Sequence, residues 1–117
     1  QEHPVHDSLH KKFNVKNTMV HLHVQHPGGI VGMHVDKYRS VFGKGQHDLT
    51  KLHLKDIYRG VVFLQDWVVG QTFMTGTSNI TDWRAGDSYT WPWYMPHGSA
   101  NASSKPRYLL LFVGVSV

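Results

Sequence analysis

The chain contains no cysteine, so it can form no disulfide bond and offers no thiolate to a metal ion. A bound metal would therefore be held by histidine, aspartate or glutamate side chains. The sequence also lacks an apolar run long enough to cross a bilayer, and it shows no signal-peptide pattern. These absences predict a soluble, cytoplasmic protein that has no membrane partner.

Long runs of like charge are absent as well. Lysine and arginine number 12 against 8 aspartates and glutamates, but the basic residues are scattered, and the longest run is Lys11 with Lys12. Such scattering is typical of an ordinary solvated surface and argues against a nucleic-acid partner. At 117 residues, the chain is long enough for one domain with a single core.

Helical periodicity is scarce, and short alternating segments dominate instead. Residues 1–17 have no sustained period and are predicted to form a flexible N-terminal segment. From residue 18 onward, apolar and polar residues alternate over 20–25 and 30–38, and "DIYRGVVFLQDWVVG" and "RYLLLFVGVSV" are rich in β-branched and aromatic residues. We therefore predict one all-β domain over residues 18–117, a sandwich, jelly roll or small barrel with few or no helices.

The stretch "VGMHVDKY" places His34 and Asp36 on one face of a predicted strand. A chain with ten histidines contains one such pair by chance, so a metal site needs a further ligand from elsewhere. His97, which follows "WPWYMP" at a predicted strand end, is the candidate. Two histidines and one carboxylate with open positions form the arrangement that binds Fe(II) for oxygen chemistry. The alternative for His97 is a hydrogen bond to nearby backbone.

Two arginines are candidates for binding an acidic ligand. Arg107 opens the last predicted strand, and if the "NASSKP" connection is a hairpin, Arg107 and His97 can face one cavity, where a guanidinium would provide a planar fork for a carboxylate. The alternative is a surface arginine next to Tyr108. Arg59 and Gln65 share a face of the central strand, and we expect that one of them points inward and helps to hold a cosubstrate or substrate.

Other histidines and aromatic residues are weaker candidates. His21 and His23 share a strand face, but no third ligand lies nearby in the sequence, so solvated or hydrogen-bonded side chains are favoured over a metal site. Trp67, Trp91 and Trp93 are most simply core residues, although a pocket near His97 would bring Trp91, Trp93 or Tyr94 to its wall.

The order His34-x-Asp36, then His97, then Arg107 resembles the Fe(II)- and 2-oxoglutarate-dependent oxygenases. The segments "QHPGG", "YRGVVFLQDWVVGQ", "WRAGD", "PHGSAN" and "PRYLLLFVG" are similar to those of the small bacterial and phage members, and the resemblance covers residues 20–115. It implies a double-stranded β-helix in which His34, Asp36 and His97 bind Fe(II) and Arg107 pairs with the distal carboxylate of 2-oxoglutarate.

In such an enzyme, O2 and 2-oxoglutarate are converted to succinate and CO2 while a substrate C–H bond is hydroxylated. The presence of Asp36 favours hydroxylation over halogenation, because halogenating members lack this carboxylate. The substrate expected here is a small molecule or a protein side chain. The buttressing helices of larger members are not evident, which leaves open the stability of the domain alone, its oligomeric state and its substrate lid; a homo-oligomer is one of the open alternatives.

Two other functions remain open from the sequence. A cupin-type metalloenzyme would have the same architecture, and the spacing of Gly28 to His34 and of Gly86 to His97 resembles parts of both cupin motifs. Cupins usually carry a second histidine where Asp36 stands and a glutamate shortly after it, which residues 37–41 lack, and they have no need of Arg107. The third candidate is a non-catalytic β-sandwich that binds its ligand without metal.

Overall fold

The structure, a computed structural model, describes residues 4–35 and 57–116, which form one helix and eight strands. These elements are α1 (Pro4–Phe13), β1 (Val15–Gln25), β2 (Ile30–His34), β3 (Ile57–Phe63), β4 (Gln71–Thr75), β5 (Ser78–Ile80), β6 (Ser88–Pro92), β7 (His97–Asn101) and β8 (Arg107–Ser116). Among the described residues, no helix is both long enough and apolar enough to span a membrane.

The strands form two four-stranded antiparallel sheets. The first has the order β1-β8-β3-β6, and the second has the order β2-β7-β4-β5. Successive strands thus alternate between the two sheets through much of the chain, as in a jelly roll. The prediction of an all-β, double-stranded β-helix with few helices is confirmed.

The N-terminal residues differ from the sequence prediction. Instead of an irregular segment up to residue 17, the chain forms α1, and β1 already begins at Val15. The helix packs on the outer face of the first sheet, where Leu9, Val15 and Phe112 form a buried cluster. A single helix of ten residues depends on such packing rather than on its own propensity, so the local pattern did not reveal it.

Strand β1 turns its polar side chains toward the space between the sheets. His23 lies opposite Leu109 and Gln25 lies opposite Arg107 in the antiparallel ladder, and opposite residues project from the same face. Leu109 belongs to the core between the sheets, so His23 and Gln25 share that inner face. Leu22 faces outward and is 64% exposed. The alternating pattern of residues 20–25 correctly indicated a strand. The face of β1 that carries Leu22 points outward, however, and the face that carries His23 and Gln25 points toward the interior.

Aromatic side chains fill much of the interior. The buried cluster consists of Val61, Phe63, Phe73, Trp83, Trp91 and Leu109. Phe63 stacks on Trp83 with ring centroids 3.9 Å apart, and Phe73 meets Trp91 at 5.6 Å. Most of this cluster comes from β3, β4 and β6, whereas histidine, glutamine, serine and asparagine side chains lie among the inward-facing residues of β1, β2 and β7.

Close packing above β3 yields the first testable prediction. A Cβ atom added at Gly60 would lie 2.1 Å from the ring of Phe112, which is fully buried under α1. We expect Gly60→Ala to lower the free energy of unfolding by about 1 to 3 kcal/mol, measured by urea denaturation. Phe112→Leu provides the control: the double variant should lose less stability than the two single losses combined. Additive losses would show that the contact with the ring is not the cause.

Candidate functional site

A β-bulge in β2 brings the two candidate histidines together. Ile30 and Val31 pair in register with Ala100 and Ser99, but the register then shifts, and His34 lies opposite His97. Without the shift, Met33 would take that position. Bulges of this kind redirect a side chain at the edge of a sheet. Here the bulge places His34 on the same face as His97.

The spacing of the two histidine rings lies in the range expected for two imidazoles that bind one ion. The ring centroids are 4.4 Å apart and the rings are inclined by 54°. Imidazoles that bind a single metal at ~2 Å through nitrogen, with bonds at about a right angle, place their ring centres roughly 4 to 5 Å apart. His97 is buried, whereas His34 is exposed at the rim, so the pair is reached from solvent on one side.

Backbone carbonyls select the tautomer of both rings. His34 Nδ1 lies 2.8 Å from the carbonyl oxygen of Gly32, and His97 Nδ1 lies 3.4 Å from that of Met95. A carbonyl oxygen can only accept, so each Nδ1 carries a hydrogen, and in the neutral ring this leaves the lone pair on Nε2. Metal-binding histidines are oriented in the same way by an acceptor at the second ring nitrogen.

The predicted third ligand, Asp36, lies outside the described residues, so its position relative to the histidines stays a prediction. Within residues 4–35 and 57–116, no group of three histidine, aspartate or glutamate side chains is close enough to hold a metal ion. The two histidines fit a metal ion, and completion of the site depends on a residue such as Asp36.

A small cavity of about 190 Å³ adjoins the histidine pair. Its walls include Arg59 and Leu111 from the first sheet, and Phe73 and Ser99 from the second. Arg59 projects from the inner face of β3, opposite Trp91, as predicted. The cavity is smaller than the roughly 300–1,000 Å³ of typical drug-sized pockets, so it suits a small acid or the end of a larger substrate.

Arg107 lies inside the protein and not at the cavity mouth. It is 1% exposed, which excludes the alternative of a surface arginine, but it is not among the residues that line the cavity. Its guanidinium lies 5.8 Å from the ring centroid of Phe73, a cavity residue. Among the described residues, Nε and Nη1 of Arg107 have no hydrogen-bond partner. Buried donors of this kind are costly unless a partner binds them.

A buried polar layer surrounds Arg107. Gln25 Nε2 donates to the hydroxyl of Ser99 at 3.1 Å, while Gln25 Oε1 has no partner among the described residues. Asn101 Nδ2 donates to the backbone oxygens of Gln25 and Lys105 at 2.9 and 2.8 Å. These bonds fasten the connection between β7 and β8 and thereby fix where the side chain of Arg107 starts.

His23 is the one described hydrogen-bond partner of the Arg107 side chain, at 3.2 Å between Nη2 and His23 Nδ1. Burial, and to a smaller extent the positive charge of Arg107, lower the pKa of His23 below its usual value. Burial also lowers the pKa of Arg107 to about 10, so the guanidinium remains charged at neutral pH. A neutral His23 therefore accepts a hydrogen bond from a charged Arg107.

Several sequence predictions for this region can now be assessed. Gln65 does not point inward: it is exposed beyond the end of β3 and accepts a hydrogen bond from the Tyr108 backbone. Trp91 packs against His97, with ring centroids 5.3 Å apart, but Tyr94 is exposed. His23 is hydrogen-bonded, as favoured, although its partner was not foreseen.

The polar layer was missed by sequence reasoning altogether. The sequence contained one sign of this layer: the alternation of β1 puts Gln25 on the same side as His23. The sequence does not show that β1 pairs with β8, which places Gln25 opposite Arg107.

Comparisons with known structures show the fold. The chain is similar to a predicted oxalate decarboxylase from Thermotoga maritima, with 14% identity, a TM-score of 0.56, and coverage of 93% of this chain and 72% of that one. It is also similar to the cupin domain of a transcriptional regulator from Enterobacter cloacae, with 12% identity, a TM-score of 0.57, and coverage of 86% and 83%.

A non-heme monooxygenase, ThoJ, in complex with nickel gives a TM-score of 0.61 at 15% identity. The match covers 96% of this chain but 49% of the monooxygenase. No protein-family model matches the chain, and no curated protein sequence matches it. The chain thus has the cupin-type double-stranded β-helix fold, which proteins of several activities share.

Gly98 provides a test of the bulge. A Cβ atom at this position would lie 2.6 Å from the carbonyl oxygen of Val31 and 3.1 Å from the backbone of Gly32. We expect Gly98→Ala to push β2 away and to lower the affinity for Co(II) by about tenfold or more, measured by calorimetry. Gly32→Ala is the matched control, since its Cβ would meet no atom within 4 Å. Equal Co(II) affinities in Gly98→Ala and Gly32→Ala would show that the close approach at Gly98 does not position His34.

His23 gives a prediction for pH. The pKa of His23 is lower in the folded protein than in the unfolded chain. Below pH ~6.5 the unfolded chain therefore takes up a proton at His23 more readily than the folded protein does. The free energy of unfolding should decrease as the pH is lowered through this range. His23→Asn removes this titration. The stability of the wild type relative to this variant should therefore decrease between about pH 8 and about pH 5.5 in urea denaturation. A constant difference would mean that His23 titrates normally in the folded protein.

Proposed function

We propose that this double-stranded β-helix protein is an Fe(II)- and 2-oxoglutarate-dependent oxygenase that hydroxylates a small molecule or a protein side chain. The observation that carries the proposal is the buried guanidinium of Arg107, whose Nε and Nη1 have no hydrogen-bond partner among the described residues, in the same interior as the pair His34 and His97. A site that needed only a metal would have no use for this buried cation. A carboxylate ligand accounts for it.

His34 and His97 would hold Fe(II) through Nε2, since both Nδ1 atoms face backbone carbonyls. Asp36, two residues after His34 in the sequence, is the proposed third ligand. Nitrogen and carboxylate ligands suit Fe(II) and leave positions open for a cosubstrate and for O2. When bound, Fe(II) would support reaction of O2 with 2-oxoglutarate, giving succinate, CO2 and a hydroxylated substrate.

Arg107 would bind the distal carboxylate of 2-oxoglutarate. Phe73 and Ser99 lie between the histidine pair and Arg107. Both line the cavity beside the histidines. The ring of Phe73 also lies against the guanidinium of Arg107, and the hydroxyl of Ser99 accepts a hydrogen bond from Gln25. Burial excludes water from this cation, so a charge-assisted bond to it is stronger than one at the surface.

Arg59 would act at the other side of the cavity. Its position on the inner face of β3 puts a second positive charge near the histidine pair, where it would orient an acidic group of the cosubstrate or substrate. Phe73 and Leu111 provide apolar wall beside these cations and limit the entry of water.

The structural comparisons support this function at the level of fold. One similar structure is named as a non-heme monooxygenase and contains nickel, so a chain of this architecture can combine a transition metal with oxygen chemistry. Another is named as a predicted oxalate decarboxylase, which is the cupin-type alternative. Oxalate is itself a dicarboxylate, so a buried Arg107 suits an acidic ligand in either enzyme. The order His34, Asp36, His97 and Arg107 in the sequence favours the oxygenase.

The test is an anaerobic titration of the Fe(II) protein with 2-oxoglutarate, followed by the weak visible charge-transfer band of the chelate. We expect the band in the wild type, and succinate once O2 and a substrate are added. His97→Ala should lose Fe(II) binding. Arg107→Met, which preserves side-chain volume, should weaken 2-oxoglutarate binding about ten- to a hundredfold while leaving Fe(II) affinity nearly unchanged.

The control is His26→Ala, because His26 is exposed in the turn after β1 and should not affect either ligand. Metal binding with no band would overturn the proposal in favour of a cupin-type metalloenzyme. Ligand binding that needs no metal and yields no succinate would point to a binding module. An Arg107→Met variant with wild-type affinity for 2-oxoglutarate would show that the arginine is not the carboxylate site.

A further inference from the structure

We propose that His23 is a positioning residue for 2-oxoglutarate: its Nδ1 accepts one N–H of Arg107 and thereby fixes the plane of the guanidinium for the ligand carboxylate. This inference rests on the proposed function. It adds a residue from β1, the strand that pairs with Arg107 in the ladder, to a site whose other described members lie on β2, β3, β4, β7 and β8.

Counting donors shows why a single acceptor is sufficient. A guanidinium carries five N–H groups, and His23 occupies one of the two on Nη2. The remaining Nη2 hydrogen lies beside either Nε or Nη1, neither of which has a partner among the described residues. Whichever hydrogen His23 accepts, an intact pair of parallel donors is left for the two oxygens of a carboxylate.

His23 is the one described side chain that orients the guanidinium by a hydrogen bond. The ring centroid of Phe73 lies 5.8 Å from the guanidinium carbon and offers no acceptor in the guanidinium plane, and no other described side chain accepts from Arg107. An arginine that is already oriented loses less conformational entropy when the ligand binds. His23 therefore contributes affinity without touching the ligand.

The charge state of His23 suits an acceptor and not a second cation. Its half-buried ring and the neighbouring Arg107 disfavour protonation. A protonated ring would present N–H at Nδ1 and could not accept from the arginine. His21, one repeat earlier on the same face of β1, is exposed and lies opposite Leu111, so it provides a matched histidine that lacks the arginine contact.

The experiment compares His23→Leu, His23→Asn and His21→Leu in the Fe(II) protein. The leucine at position 23 removes the acceptor, whereas asparagine restores one through its side-chain oxygen. We expect His23→Leu to raise the Kd for 2-oxoglutarate, measured from the anaerobic band, about tenfold, and the KM for 2-oxoglutarate by the same factor. The kcat at saturating 2-oxoglutarate and the affinity for Fe(II) should stay within about twofold of the wild-type values. His23→Asn should recover most of the affinity, and His21→Leu should match the wild type.

Each other outcome has a distinct meaning. If His23→Leu binds 2-oxoglutarate as the wild type does, the positioning role is overturned while the proposed function stands. A variant series in which asparagine fails to recover any affinity shows a packing effect and overturns the acceptor role. If the wild type itself shows neither the band nor succinate, the proposed function fails, and this inference fails with it.

Discussion

The contact between Gly98 and the bulge of β2 is the constraint on which the candidate site depends. The two backbones approach so closely that no side chain fits at Gly98, and this approach coincides with the register shift that brings His34 opposite His97. In regular register, the interior would receive Met33 at that point. The pairing of His34 with His97 thus arises from one extra residue in an edge strand and one missing Cβ atom in its neighbour.

The buried cation of Arg107 organises the other half of the interior. A charge that is removed from water is costly unless it is paired. The buried charge of Arg107 is accompanied by three buried polar side chains, those of Gln25, Ser99 and Asn101. These side chains bind mainly each other and the backbone, so within residues 4–35 and 57–116 the Nε and Nη1 atoms of Arg107 have no hydrogen-bond partner. A bound anion would offset the cost of leaving these two donors unsatisfied.

The sequence allowed much of this to be predicted, because strand alternation and turn residues are local properties. It indicated the β-fold. His97 and Arg107 are both buried, but Arg107 does not line the cavity beside His97, so the prediction that the two face one cavity is not met by the residues that line it. Helix α1 escaped prediction since its stability comes from Phe112, distant in the chain. The bulge escaped it because a register shift leaves no periodic trace, and the partnership of His23 with Arg107 depends on which strands become neighbours.

The position of β1 has a thermodynamic consequence. Among the described strands, β1 is hydrogen-bonded along one side only, by β8, and its ends are held by the bonds of His10 to the Val15 carbonyl and of Asn101 to the Gln25 carbonyl. Edge strands of this kind open locally at lower free energy than central ones. Opening β1 would remove the acceptor from Arg107, so by linkage an anion that favours the oriented guanidinium must also slow amide hydrogen exchange along β1.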